Sequence, residues 1–338
     1  MNARSRLSLD DVHDLSMRAL MASGADEENA KAVTHFMWAA ERDSCHSHGL
    51  FRLPGYCASL RSGKVNGKAQ PKVSDLAPAA IRVDGDNGFA PIGLETGRMP
   101  LVDRARQTGI AAMALTRCYH FSALWVETAA IAEHGVVAIA MTSAKPMVAP
   151  AGGTKPLFGT NPLSFAWPRH DEEPAVFDMA TAAMARGEIQ VAARERHSVP
   201  EGAGIDKDGN VTTDPSAILE GAQLAFGGTK GALLSLMVEL MAGPLLGEPF
   251  SVEQKEIDNA DGGPAIGGEF LIAIDPVKLS GGGDPLAHAE NLFAALLAQE
   301  GTRLPGARRY SVRAKNEANG IEIPTQLLET IETLTKSA

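Results

Sequence analysis

The chain has 338 residues, which is enough for about two domains with a sizeable buried core. Lys and Arg number 31 against 41 Asp and Glu, and the resulting net charge of −10 has the wrong sign for a surface that binds nucleic-acid phosphates. Hydrophobic residues make up 44% of the chain, which excludes the collagen-like and intrinsically disordered classes.

The first sixty or so residues predict a helical region. Ser8 followed by Asp11 has the spacing of a capping box, and Gly24 and Gly63 supply breaks. Apolar residues at three- and four-residue steps predict helices over residues 9–23, 26–41 and 47–62.

From residue 79 the pattern changes to alternating strands and helices. Strand-like segments at 80–84, 110–115 and 136–142 alternate with helix-like segments at 91–107 and 123–133. This alternation predicts an α/β sheet with crossover connections. The remaining patterns predict strands at 164–167, 175–178, 189–193 and 270–274, helices at 230–241, 285–299 and from 324 onward, and a basic loop at 303–309.

Cysteine usage and the opening residues indicate the compartment. Cys45, Cys57 and Cys118 form no C-x-x-C pair, which indicates neither a disulfide framework nor a structural zinc site. The opening residues are charged and lack an apolar segment, and the apolar run at 136–141 is too short for a bilayer. We therefore expect a cytoplasmic protein with neither membrane nor nucleic acid among its partners.

Phosphate-binding motifs are weak in this sequence. No G-x-G-x-x-G follows a predicted strand and no G-x-x-x-x-G-K-[ST] occurs, so the turns of Rossmann and P-loop proteins are missing. The helix start after residues 119–124 and the turn at 227–230 could each bind phosphate, and a plain helix cap explains either equally well. Residues 206–210 hint at a calcium loop, but Ala217 stands where Glu should close it, so an Asp-Gly hairpin turn is the better interpretation.

Two histidines flank Ser47. His46 and His48 could ligate a metal from one face of a strand, but in a helical segment such residues diverge, and we expect no metal. A proton-transferring histidine and a surface histidine in a polar turn both remain open. Arg52 follows His48 by four residues, which on a helix places both side chains on one face. That pairing suits a substrate with a carboxylate, while a solvated arginine is the alternative.

Six motifs, in the order in which they occur, resemble the malate/L-lactate dehydrogenase family. They are Ser-His-Gly-Leu with a following Arg (47–52), His-Phe-Ser-Ala-Leu (120–124), Gly-Thr-Asn-Pro (159–162), Phe-Asp-Met-Ala-Thr (177–181), Phe-Gly-Gly-Thr-Lys-Gly (226–231) and Gly-Gly-Glu-Phe (267–270). Within that family, segments 47–56, 261–264 and 303–309 most resemble the NADPH-dependent Δ1-piperideine-2-carboxylate/Δ1-pyrroline-2-carboxylate reductases.

The resemblance implies a fold and an organisation. The fold is α/β, a non-Rossmann nicotinamide-binding fold with a mixed sheet, flanking helices and an N-terminal helical region. The implied division is a helical region over 1–75, a substrate and dimerisation domain from 76–120 and 305–338, and a cofactor-binding domain over 121–304. The expected assembly is a homodimer.

The resemblance also implies an activity. The chain is expected to reduce cyclic imino acids to L-pipecolate and L-proline with NADPH, NADH being a weaker cofactor. A 2-oxo acid dehydrogenase of the same family is one alternative, and a non-catalytic binding protein that keeps the fold is another.

Site residues follow from the resemblance by position. Ser47 and His48 match a charge relay whose third member is Glu188, where related reductases have Asp. Sequence neighbours point apart in helices and strands, so a direct Ser47 to His48 hydrogen bond needs a loop conformation. Arg52 would hold the substrate carboxylate and His48 would deliver the proton, with His120 as the rival donor.

The remaining matches concern ligand contacts. Thr160 matches a second contact to the substrate carboxylate. The residues that match cofactor contacts are His120, Phe121, Ser122, Ala123, Leu124, Asp178, Met179, Ala180 and Lys230, and Arg303, Arg308 and Arg309 offer charge for the NADPH 2′-phosphate.

Overall fold

The computed structural model describes residues 3–336. The predicted capping box is present at the first helix, where the Ser8 hydroxyl accepts from the Asp11 backbone N–H. The helices are α1 (Leu9–Ala22), α2 (Glu27–Arg42), α3 (Leu53–Arg61), α4 (Ala90–Thr108), α5 (Leu124–Ala132), α6 (Arg186–Glu195), α7 (Pro215–Glu220), α8 (Thr229–Ala242), α9 (Ser251–Ile257), α10 (Pro276–Leu279), α11 (Pro285–Leu297), α12 (Ala307–Asn319) and α13 (Thr325–Thr335).

The strands form one large sheet and two small ones within the described part of the chain. They are β1 (Arg4–Leu7), β2 (Lys72–Ala77), β3 (Ala80–Asp84), β4 (Ile110–Tyr119), β5 (Val137–Thr142), β6 (Leu163–Trp167), β7 (Ala175–Met179), β8 (Gly204–Ile205), β9 (Val211–Thr212), β10 (Ala222–Gln223), β11 (Ile266–Ile274) and β12 (Ile321–Pro324). The large sheet has seven strands in the order β2-β3-β4-β11-β5-β6-β7.

The large sheet is mixed, as the family resemblance implies. β3 and β4 are neighbouring parallel strands that the crossover helix α4 connects. The other neighbouring strands of this sheet are antiparallel. The crossover prediction therefore holds for that connection. β11 comes from late in the chain and lies between β4 and β5, where its apolar residues join the core under α4 and α5.

A second core lies among the N-terminal helices. Leu20 of α1 and Tyr56 of α3 are buried there with Ile321 and Ile323 of β12 and Ile331 of α13. β12 also pairs antiparallel with β1, so residues from both ends of the chain close this helical region. The region carries Ser47, His48 and Arg52, and Arg52 lies against Phe121, two residues after β4.

Two secondary-structure predictions are wrong. Residues 47–62 are not one helix, because two 3-10 turns (His46–His48 and Leu50–Arg52) precede α3. Residues 189–193 are part of α6 and not a strand. Ile189 and Ala192 are buried three positions apart, which is the spacing of a helix that packs one face on its neighbours.

Two segments predicted as turn or loop differ in how far the structure follows the prediction. Residues 206–210 form the predicted hairpin turn, since β8 and β9 pair antiparallel and Asp206 Oδ1 accepts from two backbone N–H groups of the turn. The basic segment 303–309 is a loop only as far as Gly306, and Arg308 and Arg309 lie in the first turn of α12.

The three-part domain division stays a prediction. The large sheet takes strands from residues 76–120 and from residues 121–304. No helix within residues 3–336 has the length and hydropathy needed to cross a membrane.

Candidate active site

The segment between α2 and α3 is held by one buried carboxylate. Glu41 of α2 accepts from the Leu50 backbone N–H at 2.8 Å through Oε1, and its Oε2 lies 2.6 Å from His46 Nδ1. A Cβ at Gly49 would overlap this carboxylate and displace it from its contacts. Glu41 and Gly49 together fix the path of the backbone through Ser47 and His48.

That path brings two sequence neighbours together. Ser47 Oγ lies 3.0 Å from His48 Nδ1, and both residues belong to the 3-10 turn His46–His48 rather than to the loop that the contact was expected to need. Burial, and then the charges of Arg52 and His120, lower the pKa of His48 to about 3. His48 is therefore neutral at neutral pH in the free protein and is better suited to accept a hydrogen bond than to supply a proton.

Arg52 presents a cation without an acidic partner. Its Cζ lies 4.8 Å from the centre of the Phe121 ring and 5.5 Å from that of Phe51, and its Nε donates to the Ser47 carbonyl at 2.7 Å. None of the ion pairs among residues 3–336 involves it. The helix predicted to join His48 and Arg52 is absent, yet the turn keeps both groups at one site.

His120 follows β4 and meets an acidic residue that the site prediction did not include. Its Nε2 lies 2.7 Å from Glu269 Oε2, and the two side chains are 6% and 0% exposed. The ring N–H is not aligned on the carboxylate, so neither Glu269 oxygen has an aligned donor among the described residues. The available sequence signal was a glutamate inside the apolar strand β11, within the Gly-Gly-Glu-Phe motif.

Asp178 lies at the end of β7 beside the start of α5. Its Oδ2 accepts from the Trp125 backbone N–H at 3.0 Å, and burial raises its pKa to about 6 although this bond and Arg309 oppose the shift. Its electrostatic neighbours include His120. Ser47, His48, Arg52, His120 and Asp178 are hereafter called the central site.

One of the predicted arginines, Arg309, lies beside this site. The Arg309 guanidinium lies 4.9 Å from the Trp125 ring centre and donates to the Val176 carbonyl. Arg309 Nε and Trp125 Nε1 are buried and lack hydrogen-bond partners among the described residues. Arg303 and Arg308 are exposed, and their guanidinium groups make no ion pair or hydrogen bond within residues 3–336.

The end of β7 leads from the central site towards a cavity of about 810 Å³. Ala180 packs with Ala225 and Ala232, and these two residues line the cavity with Gly227 and Gly228. We call this the glycine cavity. Lys230 lies exposed in the first turn of α8, next to the glycine pair, and Met179 is also exposed.

Thr160 and Glu188 take different positions. The Thr160 carbonyl accepts from the backbone N–H and the hydroxyl of Thr181, which places Thr160 beside the end of β7. Glu188 is exposed on α6 and lines the glycine cavity. Within the described residues no hydrogen bond or ion pair joins it to His48, so the structure does not assemble the predicted three-member relay.

The ligand set of a metal site is not present in the described part of the chain. His46 and His48 use their Nδ1 atoms on Glu41 and Ser47, respectively. No group of three or more His, Cys, Asp or Glu side chains within residues 3–336 is arranged to hold a metal ion.

Comparison with known proteins identifies the family. The sequence profile of the malate/L-lactate dehydrogenase family matches residues 7–332. A Δ(1)-pyrroline-2-carboxylate reductase from Ancylobacter novellus is 49% identical over 331 residues and covers 97% of each chain. A Δ(1)-pyrroline-2-carboxylate/Δ(1)-piperideine-2-carboxylate reductase from Pseudomonas aeruginosa is 48% identical over 324 residues, or 95% of this chain and 97% of that one.

A solved structure shows the same fold. The Δ1-piperideine-2-carboxylate reductase from Pseudomonas syringae pv. tomato matches with a TM-score of 0.92 and 44% identity over 98% of this chain and 99% of that chain. The agreement covers the α/β architecture and the mixed sheet on which the central site is built. The chain belongs to the malate/L-lactate dehydrogenase family.

Proposed function

We propose that the chain is an NADPH-dependent reductase of the cyclic imino acids Δ1-pyrroline-2-carboxylate and Δ1-piperideine-2-carboxylate, with L-proline and L-pipecolate as products. The observation that carries the proposal is Arg52, a guanidinium without an acidic partner among residues 3–336, whose charge acts on His48 together with that of His120. The relatives named for this reaction match almost the whole chain.

Arg52 is proposed to bind the substrate carboxylate. A guanidinium offers two parallel N–H donors to a carboxylate, and the aromatic rings of Phe51 and Phe121 hold its plane. Thr160 is proposed as the second contact, from the loop beside the end of β7. Two such contacts would fix the ring so that its C=N bond faces the histidines.

His120 is proposed as the proton donor, with His48 in an orienting role. The low pKa of His48 leaves it without a proton to give at neutral pH, whereas His120 lies against a buried carboxylate. This reverses the preference drawn from sequence. The contact with Ser47 would let the neutral His48 ring orient the substrate or a bound water.

The residues present suit a nicotinamide cofactor, which the dehydrogenase family implies. Residues 120–124 and 178–180 converge at the start of α5, and the buried, unpartnered Arg309 Nε and Trp125 Nε1 mark polar groups that the protein itself does not satisfy. When bound, the reduced nicotinamide supplies a hydride to the carbon next to the carboxylate. Lys230 and the glycine cavity are proposed to take phosphate, since the α8 N-terminus offers free N–H groups there.

NADPH is proposed over NADH because of Arg303, Arg308 and Arg309. The first two are exposed cations whose guanidinium groups have no partner within residues 3–336, and the third lies in the first turn of α12 with Arg308. A 2′-phosphate is the group that such a cluster would distinguish. Glu188 lines the glycine cavity, and any role in the reaction would be exerted from there.

A homodimer is proposed as the working assembly. Along α8, Leu233, Leu236, Met237 and Leu240 are exposed at helical spacing and form an apolar stripe. A stripe of this kind on a helix favours burial against another apolar surface. In the proposed homodimer, a second copy of the chain would supply the apolar surface that covers the α8 stripe.

A 2-oxo acid dehydrogenase is the second candidate. The profile that matches residues 7–332 is that of malate/L-lactate dehydrogenases, and the same arginine and histidines could bind a carboxylate beside a C=O group. This alternative differs from the first in the atom that receives the proton.

The test follows NADPH consumption by absorbance with cyclic imines and with 2-oxo acids, and repeats each assay with NADH. We expect the larger kcat/KM with a cyclic imine and NADPH. A larger value with a 2-oxo acid would establish the second candidate, and no turnover with either would refute both. Arg308→Ala should reduce the preference for NADPH, while Arg18→Ala, which removes an exposed cation on α1, serves as its matched control.

A further inference from the structure

Glu269 has an unusual place in the large sheet. It lies on β11 between β4 and β5, and the register between β11 and β4 shifts at this residue. Gly267 pairs with Cys118 whereas Glu269 pairs with Leu115, so β4 contains one extra residue in a bulge. Bulges redirect side chains locally, and this one lies just before His120.

The carboxylate of Glu269 is costly to bury. Its side chain is fully buried and has no aligned hydrogen-bond donor among residues 3–336. Removing an ionised carboxylate from water is strongly unfavourable unless a partner compensates the charge. His120 Nε2, at 2.7 Å, is the compensating group.

Other buried carboxyl groups near Glu269 increase its need for His120 as a compensating partner. Glu127 of α5 and Asp178 of β7 both have their pKa values raised, to about 7 and about 6, chiefly by burial and in part by the charge of Glu269. Glu127 pairs with Arg98. Among the described residues, the ion pair of Glu269 is with His120.

The other ring nitrogen of His120 is not engaged by the described residues. Nδ1 makes no hydrogen bond with any residue of the described chain. His48, Asp178 and Glu269 are the titratable groups that act on this ring from the turn, from β7 and from β11. With Nε2 committed to Glu269, Nδ1 is left for a ligand.

We propose that Glu269 is the positioning residue of His120: it keeps a proton on Nε2 and thereby makes Nδ1 the atom that gives its proton to the substrate. The proposal rests on the proposed function. For this step the His120 ring starts doubly protonated, with Nε2–H toward Glu269 and Nδ1–H toward the substrate. As hydride reaches the substrate ring carbon, the Nδ1–H bond breaks and its proton forms the N–H bond of the product amine. The imidazole then keeps its Nε2–H toward Glu269, and water returns a proton to Nδ1. The imperfect alignment in the free protein is typical of catalytic contacts that tighten when a ligand binds.

Two substitutions test the proposal in the full chain. Glu269→Gln keeps the shape and an acceptor oxygen but removes the charge, and Glu269→Leu removes both. We expect kcat for the preferred substrate to fall about 10-fold or more in the first and about 100-fold in the second, with KM changed less than about three-fold. Unchanged kcat in both variants would overturn the proposal. Glu127→Gln, a second fully buried carboxylate that pairs with Arg98, is the control and should keep kcat within about three-fold.

A spectroscopic measurement separates this proposal from the proposed function. In nitrogen NMR of histidine-labelled protein, the His120 signal is identified by its loss in His120→Gln. We expect a protonated Nε2 in the wild type and in Glu269→Gln, and a mixture of ring tautomers in Glu269→Leu. A protonated Nε2 that persists in Glu269→Leu contradicts the positioning role. If the wild type reduces neither substrate class, the proposed function fails, and the NMR result still decides what Glu269 does to the ring.

Discussion

The protein contains two histidine–glutamate pairs that differ in what surrounds them. Glu41 accepts from the Leu50 backbone as well as meeting His46, whose side chain is 52% exposed. Among residues 3–336 Glu269 has no backbone donor, and it meets a ring that is 6% exposed. The first carboxylate therefore anchors a turn, with the histidine as an accessory. Within the described chain the second carboxylate has the imidazole as its only ion-pair partner, so loss of the imidazole would leave that carboxylate uncompensated.

The comparison predicts that the largest effect comes from the ring of the buried pair. His120→Gln removes the proposed proton donor, and we expect kcat to fall about 10²–10⁴-fold with a smaller change in KM. Steady-state NADPH oxidation measures both. His48→Ala should lower kcat less, because His48 has no proton to give at neutral pH. The reverse ranking would assign the donor to His48 and leave His120 as a structural residue.

Removing the anchor of the first pair should act on stability and on the turn. Glu41→Ala leaves the Leu50 N–H and His46 without their partner, and we expect a loss of about 2–3 kcal/mol in the free energy of unfolding. Chemical denaturation measures this loss. Because the same carboxylate shapes the path through Ser47 and His48, kcat should fall as well. A variant with full stability would show that Gly49 and the local backbone suffice to hold the turn.

Substitution of Arg52 shows whether the turn anchored by Glu41 contributes to substrate binding. Arg52→Lys keeps the charge but loses the planar fork and the Nε bond to the Ser47 carbonyl. We expect KM for the carboxylate substrate to rise about 10-fold, or roughly 1.4 kcal/mol, with kcat less affected. Steady-state kinetics with saturating cofactor measures the split. An unchanged KM would remove Arg52 from the substrate contacts.

The smallest expected effect is at the exposed ring. The hydrogen bond with Glu41 raises the pKa of His46, so the pair stabilises the folded chain below the unfolded value of 6.5 and loses this contribution as pH rises through the folded value. His46→Gln should thus lower Tm at pH 5.5 more than at pH 8.5. The corresponding difference in the loss of unfolding free energy should stay below about 1 kcal/mol, because the ring is half exposed. Thermal melts at the two pH values measure it. An equal loss at both would attribute the effect to packing.

Local patterns predicted much of the fold. The helices and strands from residue 80 to residue 142 follow from periodicity, and the Asp206 hairpin follows from its turn residues. The strand prediction for residues 189–193 failed because a short apolar run fits a strand as well as one face of a helix. The start of α3 was placed too early because two 3-10 turns and Gly49 depend on Glu41, a contact across the α2 boundary.

The central site was predictable only in part. Ser47, His48, Arg52, His120 and Asp178 were named from motif positions, and the structure brings them together. Glu269 was missed because its partner lies 149 positions away in the chain and their contact depends on a bulge in β4, which no local pattern reveals. The separation of Glu188 from His48 likewise depends on where α6 packs.

The pairing of β1 with β12 has a consequence for synthesis. The core that supports the Ser47–His48 turn includes Ile321, Ile323 and Ile331, so a ribosome must release the segment through residue 331 before that core can close. Until then, the apolar faces of α1, α2 and α3 lack part of their covering. The N-terminal helices are made first but are completed last, and a chain cut before β12 would lose the support of its proposed substrate-binding turn while keeping every residue of that turn.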